Sequence, residues 1–310
     1  MSDGRAGIEA QALGLAEAVG RLRPAHILTK RIGWRAGLGR LPWQFIPLDA
    51  RSGDAITPPF PDIWIAAGRA TLPLSTRMLA WSRGHTFVVQ TQHPRASLDR
   101  FDLIIPPAHD GLKGPNVFPI IGAPNRINPE RLAVERAKWA DRLAALPGPR
   151  VAVIVGGKSR AHSLSRTAAT ALAAQIADAV SRAGGSVMVS VTRRTPRDAQ
   201  VAMAAILGRL PGIVWDGSGD NPYFAFLAEA DAVLVTEDST NLATDAAATG
   251  RPIFVLPMSG HSAKLDRFHA DLRTRGIAQP FEGTLVGGRY PPLAETDRAA
   301  LEVLRRYDGS

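Results

Sequence analysis

The chain contains no cysteine and no long apolar run, and these two absences exclude several classes of function. Without cysteine there can be no disulfide, no thiolate metal site and no cysteine nucleophile. No apolar run approaches the roughly 18–20 residues that a membrane-spanning helix needs. The first residues, MSDGRAGIEA, lack the apolar region of a secretory signal. We therefore expect a cytoplasmic protein.

Positive charge exceeds negative charge, with 37 Lys and Arg against 28 Asp and Glu and a formal net charge of +9. Most of the cations are arginine, which suits bidentate phosphate recognition. They are spread along the chain without a basic run or a basic-aromatic module, so we expect no nucleic-acid partner. The excess favours a phosphorylated substrate or anionic lipid at the inner membrane face, and an arginine-rich compositional bias explains it equally well.

Short apolar runs alternate with polar turns and helix-prone segments, and this rhythm predicts an α/β fold with parallel sheets. The predicted strands are His26–Thr29, Ile63–Ala67, Thr86–Gln90, Leu103–Ile105, Val151–Val155, Ser186–Val191, Ile213–Trp215, Val233–Val235 and Ile253–Leu256. Because the carboxyl ends of parallel strands meet at one edge of a sheet, we expect the polar turns that follow them to lie together.

The breaker run at 146–150, LPGPR, is the predicted domain boundary. Residues 1–146 then form one α/β domain. Residues 147–296 form a second domain with the same alternation of strands, polar turns and helices. Residues 297–310 form a last helix that can pack back onto the first domain. A glycine-punctuated loop at 2–7 opens the first helix, and such a loop normally follows a strand. Only Met1 precedes it, so we expect the first strand to be encoded upstream or contributed differently.

The segment from Val233 to Met258 reads as strand, polar turn, Ala-rich helix, glycine stop and second strand. Its turn carries Asp238, Ser239, Thr240 and Asn241, whose side chains can accept bonds from the N–H groups of a helix start. A helix start also offers N–H donors and a positive dipole end to phosphates. An ordinary capped helix would have the same sequence, so the segment alone does not establish a ligand.

Two further polar turns and one acid strengthen the case for a nucleotide site in the second half. The turn Gly156-Gly157-Lys158-Ser159 allows close backbone approach to a phosphate, although it lacks the spacing of a P-loop. The turn Thr192-Arg193-Arg194-Thr195 could clamp a phosphate or a base edge. Asp245 lies one helical turn beyond Asn241 and could accept two ribose hydroxyls. Each signal alone also suits a plain turn or capped helix, but their convergence at successive strand ends favours a nucleotide.

Several motifs are similar to those of a known family. They are Ser2-Asp3-Gly4-Arg5-Ala6-Gly7, Gln92-His93-Pro94-Arg95, Phe101-Asp102-Leu103, Pro107-Ala108-His109-Asp110, Glu237-Asp238-Ser239-Thr240-Asn241 and Thr249-Gly250-Arg251-Pro252. Over nearly its whole length the chain resembles the "elongated mitochondria" (mitochondrial fission) family, whose bacterial members are assigned as glycosyltransferases. The resemblance implies a GT-B-like α/β fold, with two Rossmann-like doubly wound parallel-sheet domains facing a cleft. The C-terminal domain would then hold a nucleotide-sugar donor and the N-terminal domain the acceptor.

The Val233–Met258 segment also looks like the donor site of the GT-B enzyme that adds GlcNAc to the lipid-linked peptidoglycan precursor. By position, Gly156, Gly157, Lys158 and Ser159 would meet the donor and Asp245 its ribose. Three departures stand out: Asp replaces the ribose-binding Glu, a lysine lies inside the turn, and Ile8 occupies the place of the histidine that closes the glycine loop. A catalytic base would therefore have to come from elsewhere.

Transfer with inversion needs a carboxylate or imidazole to take the proton of the acceptor hydroxyl. The leading candidates are Asp110 and His109, with Glu9 as a third. The resemblance places further residues on acceptor-side loops, namely Asp3, Gly4, Arg5, Gly7, His93 and Arg95. His261 and His269 are expected on a solvated loop and helix. The fold requires no metal, no metal-ligand spacing is visible, and the only small molecule expected is the nucleotide-sugar.

These interpretations predict a metal-independent glycosyltransferase that uses a nucleoside-diphosphate sugar, most simply UDP-linked. Its acceptor would be a lipid or glycan of the cell envelope. Two alternatives stay open. One is a non-catalytic GT-B-shaped interaction protein, because plant members of the family act in recruiting the fission machinery. The other is a nucleotide-sugar 2-epimerase on the same fold.

Overall fold

The computed structural model describes residues 1–309, apart from the side chains of Ala36 and Arg40. The chain forms two compact units, one of Met1–Arg126 with Ala294–Ser310 and one of Ile127–Leu293. The division precedes the helix Pro129–Leu143, whereas the sequence placed it after that helix, at the Pro/Gly run. The helix Pro129–Leu143 belongs to the second unit because it packs against the helix Tyr223–Glu229 of that unit.

Helices and strands alternate along most of the chain. In chain order they are α1 (Ala6–Leu22), β1 (Ile32–Trp34), β2 (Arg51–Gly53), β3 (Ile63–Ala67), α2 (Leu72–Trp81), β4 (Phe87–Thr91), β5 (Leu103–Ile105), α3 (Pro129–Leu143), β6 (Arg150–Val155), β7 (His162–Ser163), α4 (Arg166–Arg182), β8 (Ser186–Val191), α5 (Arg197–Leu207), β9 (Gly212–Val214), α6 (Tyr223–Glu229), β10 (Ala232–Thr236), α7 (Thr240–Ala247), β11 (Ile253–Leu256), β12 (Ser259–Gly260), α8 (Ala263–Thr274), β13 (Ala278–Pro280) and α9 (Glu295–Tyr307). None of the described helices is both long and apolar enough to cross a membrane.

The first unit is built on a parallel sheet in the order β3-β4-β5. Successive side chains of a strand point to opposite faces, so a strand covered on both faces is apolar throughout. In β4, Phe87 and Val89 pack with Leu15 of α1 and Val303 of α9, whereas Val88 packs with Met78 of α2. The C-terminal helix α9 therefore belongs to the core of the first unit.

Met1 and Ser2, at the start of the glycine-punctuated segment, lie beside β3 and the segment at 30–31. The Met1 carbonyl accepts a hydrogen bond from the Ala67 N–H at 3.0 Å, and the Ser2 N–H donates to the Lys30 carbonyl at 3.1 Å. Ser2 also forms a parallel bridge with Arg31. Met1 and Ser2 thus pair as strand residues do.

The predicted strand His26–Thr29 is wrong. All four of its residues are exposed and lie outside the helices and strands, and the nearby strand is β1, which pairs antiparallel with β2. A local run of apolar and β-branched residues suits a strand only where one of its faces is buried. Here no face of the run is covered.

The second unit contains a six-stranded parallel sheet in the order β13-β11-β10-β6-β8-β9. Starting from β6, this is the doubly wound order 3-2-1-4-5-6, in which the chain changes direction between its first and fourth strands. Helices α4 and α5 pack on the core that includes Val153, Val189 and Leu234. The switch point lies between β6 and β10, and ligands of such sheets bind at the carboxyl ends of these two strands.

We expect Leu15→Ala to lower the free energy of unfolding by about 2–5 kcal/mol, because Leu15 is fully buried between α1 and the first sheet. Val201→Ala is the control, since Val201 is 52% exposed on α5 and should change stability by less than about 0.5 kcal/mol. Chemical denaturation measures both. Equal losses in the two variants would contradict the placement of Leu15 in the core.

Candidate functional site

The turn after β6 is held close to two other turns by its glycines. A Cβ on Gly156 would overlap the carboxylate of Asp238, and a Cβ on Gly157 would overlap the carbonyl of Arg194. Both glycines are buried. The sequence therefore needs glycine at these positions for close approach, and the approach brings together the turns that follow β6, β8 and β10.

The carboxylate of Asp238 joins these three turns. Its Oδ1 accepts a hydrogen bond from Thr236 Oγ1 at 2.7 Å, and its Oδ2 accepts one from the Gly157 N–H at 3.1 Å. The guanidinium of Arg194 forms an ion pair with the same Oδ2 at 2.7 Å. The Asp238 side chain is fully buried, so these contacts supply the partners that a buried charge needs. Asp238 thus holds the turns after β6, β8 and β10 in fixed positions relative to one another.

The turns after β6 and β8 are also bonded directly. The Lys158 N–H donates to the Arg194 carbonyl at 2.9 Å, and Arg194 Nη1 donates to the Lys158 carbonyl at 3.3 Å. Thr195 Oγ1 donates to the Val155 carbonyl at 3.1 Å. The side chains of Lys158 and Arg193 are exposed at this edge of the sheet. The structure therefore brings two exposed cations to this edge of the sheet.

Ser159 and Thr192 use their hydroxyls to shape their own turns. Ser159 Oγ accepts hydrogen bonds from the N–H groups of Ala161 at 3.2 Å and His162 at 2.9 Å. Thr192 Oγ1 accepts from the Arg194 N–H at 3.3 Å and lies 3.3 Å from Thr195 Oγ1. The structure brings both residues to the predicted site, where they hold the backbone in place.

Helix α7 begins at this same edge, directly after β10. Ser239 is its N-cap, and Ser239 Oγ accepts a hydrogen bond from the Leu242 N–H at 3.4 Å. Asn241 lies in the first turn of the helix. The start of α7 therefore directs the positive end of its dipole toward the side of the sheet that holds Lys158.

Asp245 forms a pair that the sequence did not reveal. Tyr223 Oη, at the start of α6, donates a hydrogen bond to Asp245 Oδ2 at 2.7 Å. Burial raises the pKa of Asp245 to about 7, although part of the residue stays accessible, and the Tyr223 hydrogen bond opposes that rise. Burial, and then the neighbouring Asp245, raise the pKa of Tyr223. Asp245 is thus a carboxyl group that changes charge near neutral pH.

The candidate base Glu9 is held by an arginine in the first unit. Arg31 Nε and Nη2 donate to the two carboxylate oxygens of Glu9, each at 2.8 Å. The hydrogen bonds from Arg31 lower the pKa of Glu9. A carboxylate that is stabilised as the anion accepts protons poorly, so the geometry disfavours Glu9 as a catalytic base. The other two candidates, His109 and Asp110, form a 3-10 turn that follows β5 and are partly exposed.

The residues predicted for the acceptor side lie on loops at the carboxyl edge of the first sheet or at the start of α1. Asp3 Oδ2 accepts a hydrogen bond from Arg5 Nε at 2.8 Å, Gly4 has a φ of +76°, and Gly7 lies in the first turn of α1. After β4, the Arg95 N–H donates to His93 Nδ1 at 3.0 Å. Two residues of that turn, Gln92 and Arg95, have φ values of +69° and +51°. Such left-handed conformations are strained outside glycine and cluster at functional sites.

The two histidines of the second unit differ from each other. His261 is exposed, and its Nδ1 lies 3.1 Å from Asp266 Oδ2, as expected for a residue on a solvated loop. His269 is partly buried on α8, and its Nε2 lies 2.9 Å from the Glu237 carbonyl. Burial lowers the pKa of His269. The expectation that His269 lies on a solvated face was therefore wrong, because α8 packs this side chain toward the strand-end turn at Glu237.

Comparison with protein families gives one match over nearly the whole chain. The family model described as "Mitochondrial fission ELM1" matches residues 6–307. The mitochondrial fission protein ELM1 of Arabidopsis thaliana is 33% identical over 275 residues, which cover 79% of this chain and 64% of that protein. The chain therefore spans less than two thirds of the plant protein's length. An uncharacterized protein of Rickettsia prowazekii, RP120, is 26% identical over 348 residues, covering 97% of this chain and 95% of that protein.

Three solved structures illustrate the similarity of fold. MurG of Acinetobacter baumannii is 14% identical and covers 98% of each chain, with a TM-score of 0.47. The UDP-GlcNAc 2-epimerase of Neisseria meningitidis, bound to UDP-GlcNAc, is 12% identical and covers 77% of this chain and 74% of its own, with a TM-score of 0.41. Os79 of O. sativa, in complex with UDP, is 14% identical and covers 55% and 37%, with a TM-score of 0.33. At these values the likeness assigns no function to this chain.

We expect Gly156→Ala to lower the free energy of unfolding by about 1–3 kcal/mol, because the added methyl group would displace Asp238 from its buried partners. Gly288→Ala is the matched control, since no atom lies within 4 Å of a Cβ at that position. Thermal or chemical unfolding compares the two. If Gly156→Ala were as well tolerated as the control, the close packing of the three turns would be refuted.

The raised pKa of Asp245 predicts a pH dependence of stability. The folded protein holds this proton up to about pH 7, whereas the unfolded chain releases it near 3.8, so the free energy of unfolding should fall as pH rises between these values and level off above pH 7. Asp245→Asn should flatten this decline, and Asp141→Asn, at an exposed position on α3, should preserve it. Denaturation between pH 5 and pH 8 provides the measurement. A decline of the same slope in the Asp245→Asn variant would contradict the assignment.

Proposed function

The chain belongs to the mitochondrial fission ELM1 family, and on that premise we propose that its second unit binds a nucleoside-diphosphate sugar for glycosyl transfer. The observation that carries the proposal is the convergence of three strand-end turns on buried Asp238 at the switch point between β6 and β10. A doubly wound sheet binds its ligand at this place. A buried, fully partnered carboxylate there keeps the surrounding backbone and cations in fixed positions.

The chemistry of the edge suits each part of the donor. The diphosphate would meet the start of α7 and the turn after β6, with Lys158 and Arg193 supplying positive charge. The ribose hydroxyls would donate to Asp245 in its ionised form, the role that its place after Asn241 on α7 and the likeness to the GlcNAc-transferring GT-B enzyme imply. The net charge of +9 favours a position near anionic lipid, where an envelope lipid or glycan acceptor would be found.

During transfer, the acceptor hydroxyl oxygen bonds to the anomeric carbon of the sugar while the bond from that carbon to the diphosphate oxygen breaks. The diphosphate leaves with additional negative charge, which Lys158, Arg193 and the start of α7 would stabilise. The acceptor's proton passes to a base. Arg31 lowers the pKa of Glu9 and so makes it a weaker base. His109 and Asp110 of the first unit therefore stay the predicted acceptors of that proton.

A second candidate function is recruitment of partner proteins without catalysis. The bidentate contact between Arg31 and Glu9 supports it, since it removes one predicted base from the first unit. The Arabidopsis relative, by its name a mitochondrial fission protein, supports it as well. The two functions differ in turnover. A glycosyltransferase releases nucleoside diphosphate from the donor, whereas a recruitment protein does not.

We expect UDP to stabilise the chain more than GDP, ADP or CMP in a thermal-shift experiment. A ligand at 100 times its Kd stabilises the folded state by about 2.7 kcal/mol. The double substitution Lys158→Ala and Arg193→Ala should weaken UDP binding at least about tenfold, because two phosphate-facing cations are lost. Arg209→Ala, which removes an exposed cation next to the end of α5, should leave binding unchanged.

Absence of a shift with all four nucleotides would refute the donor site, as would equal weakening by Arg209→Ala. Release of UDP from a UDP-sugar then separates the two candidate functions. Tight binding without release over a long incubation, with and without membrane lipids, would favour recruitment.

A further inference from the structure

Two histidines of the second unit lie at the same edge of the sheet as Asp238, and the proposed function uses neither of them. His162 lies on β7, shortly after the turn that follows β6, and is 4% exposed. His269 lies on α8 and is partly buried. In both imidazoles the Nδ1 atom is buried without a hydrogen-bond partner among the residues that the structure describes. Each ring therefore has a nitrogen at which a proton would find no acceptor.

The backbone around His162 joins the turn after β6 to the segment after β11. In the antiparallel pair of β7 with β12, His162 lies opposite Gly260. The His162 N–H donates to Ser159 Oγ at 2.9 Å, and the His162 carbonyl accepts from the Ser159 N–H at 3.0 Å. Gly260 has a φ of +120°, and a Cβ there would overlap the Ala161 carbonyl. These segments are closely packed, so water reaches the His162 ring only when they move apart.

The side chain of His269 joins α8 to the turn after β10. Its Nε2 lies 2.9 Å from the Glu237 carbonyl oxygen. Because a carbonyl oxygen only accepts hydrogen bonds, Nε2 carries the proton of the neutral ring and Nδ1 is the bare nitrogen. The Glu237 carboxylate accepts in turn from the Met258 N–H at 2.5 Å. Neutral His269 thus fixes α8 to the residue that precedes Asp238.

The charges that act on His269 come from α8, from the turn after β10 and from β7. Burial lowers the pKa of His269. The contact with the Glu237 carbonyl and the carboxylates of Glu237 and Asp266 raise this pKa, but they do not compensate for burial. His162 lowers it further, since a charged His162 repels a second cation. The two imidazoles are therefore close enough for the charge of one to affect the other.

We propose that His162 and His269 form an acid-sensitive latch, which in its neutral state holds α8 and the segment after β11 against the turns that follow β6 and β10. A proton on either Nδ1 places a buried N–H without an acceptor, and two protonated rings repel each other. Hydration of the charged rings then requires α8 and the β7–β12 pair to separate from the turns. Those turns carry Lys158 and Asp238, so acid loosens the edge of the sheet that the proposed function uses.

The test compares the unfolding of the full chain at about pH 7 and about pH 5.5 without nucleotide, so it does not rest on the proposed function. An unfolded histidine takes up its proton near pH 6.5, whereas folded His269 takes it up only at lower pH, so acid should destabilise the wild-type chain. His269→Gln keeps an N–H donor for the Glu237 carbonyl but does not titrate. Between the two pH values we expect the folded-to-unfolded equilibrium constant of the wild type to fall about threefold or more relative to that of His269→Gln. Asp245 titrates in both proteins, so its contribution cancels in this comparison.

Two further variants test whether the histidines act as a pair. His162→Gln removes the second charge, so it should make the response to acid smaller than in the wild type. His26→Gln is the matched control, since His26 is exposed in the first unit, and it should keep the full wild-type response. A full wild-type response in His162→Gln would refute the pair.

Amide hydrogen exchange provides the local measurement. After correction for the intrinsic effect of pH, exchange in residues 263–274 of α8 should be faster at pH 5.5 than at pH 7 in the wild type, and residues 166–182 of α4 should show no such change. His269→Gln should remove the acceleration in α8. The proposal is overturned if His269→Gln shows the same dependence of stability on pH as His26→Gln, or if exchange in α8 does not respond to acid.

Discussion

The buried carboxylate of Asp238 is the constraint on which the second unit's polar edge depends. Removing a carboxylate from water costs several kcal/mol unless a counter-charge and hydrogen bonds compensate it. Arg194, Thr236 and the Gly157 N–H provide that compensation from three different strand ends. The partners must therefore come close together, and this closeness requires glycine at 156 and 157. The two glycines are therefore needed because of a buried charge at Asp238, which lies 81 residues beyond Gly157 in the chain.

The two units treat their polar strand ends differently. In the second unit one buried carboxylate organises the edge, while Lys158 and Arg193 are exposed above it. In the first unit the acids lie next to arginines, Glu9 with Arg31 and Asp3 with Arg5. An arginine at hydrogen-bond distance stabilises the carboxylate anion and weakens it as a base. The pairing with Arg31 therefore makes Glu9 the weakest of the three predicted bases.

Local signals were sufficient for many of the elements. The strands Ile63–Ala67, Leu103–Ile105, Ser186–Val191 and Ile253–Leu256 match the structure residue for residue, because their apolar runs are bounded by turn residues on both sides. The start of α4 also carries a local signal, since Ser165 caps this helix with its own side chain. His26–Thr29 has a comparable local composition but lies in solvent, and no local pattern reports whether another layer will cover a segment. For the same reason the sequence did not show that α3 belongs to the second unit, because its packing partner α6 is distant in sequence.

The sequence by itself determined the α/β class, the order of elements in the second unit and the family, since these rest on periodicity, on capping residues and on motifs contiguous in the chain. It also placed the turns at 156–159, 192–195 and 238–241 at successive strand ends. Only the tertiary structure decided what their side chains do. Arg194 neutralises Asp238, and Tyr223 donates to Asp245. Each of these contacts joins segments that are far apart in the chain, and burial, which sets the charge state of Asp245, is a property of the packed unit and not of any stretch within it.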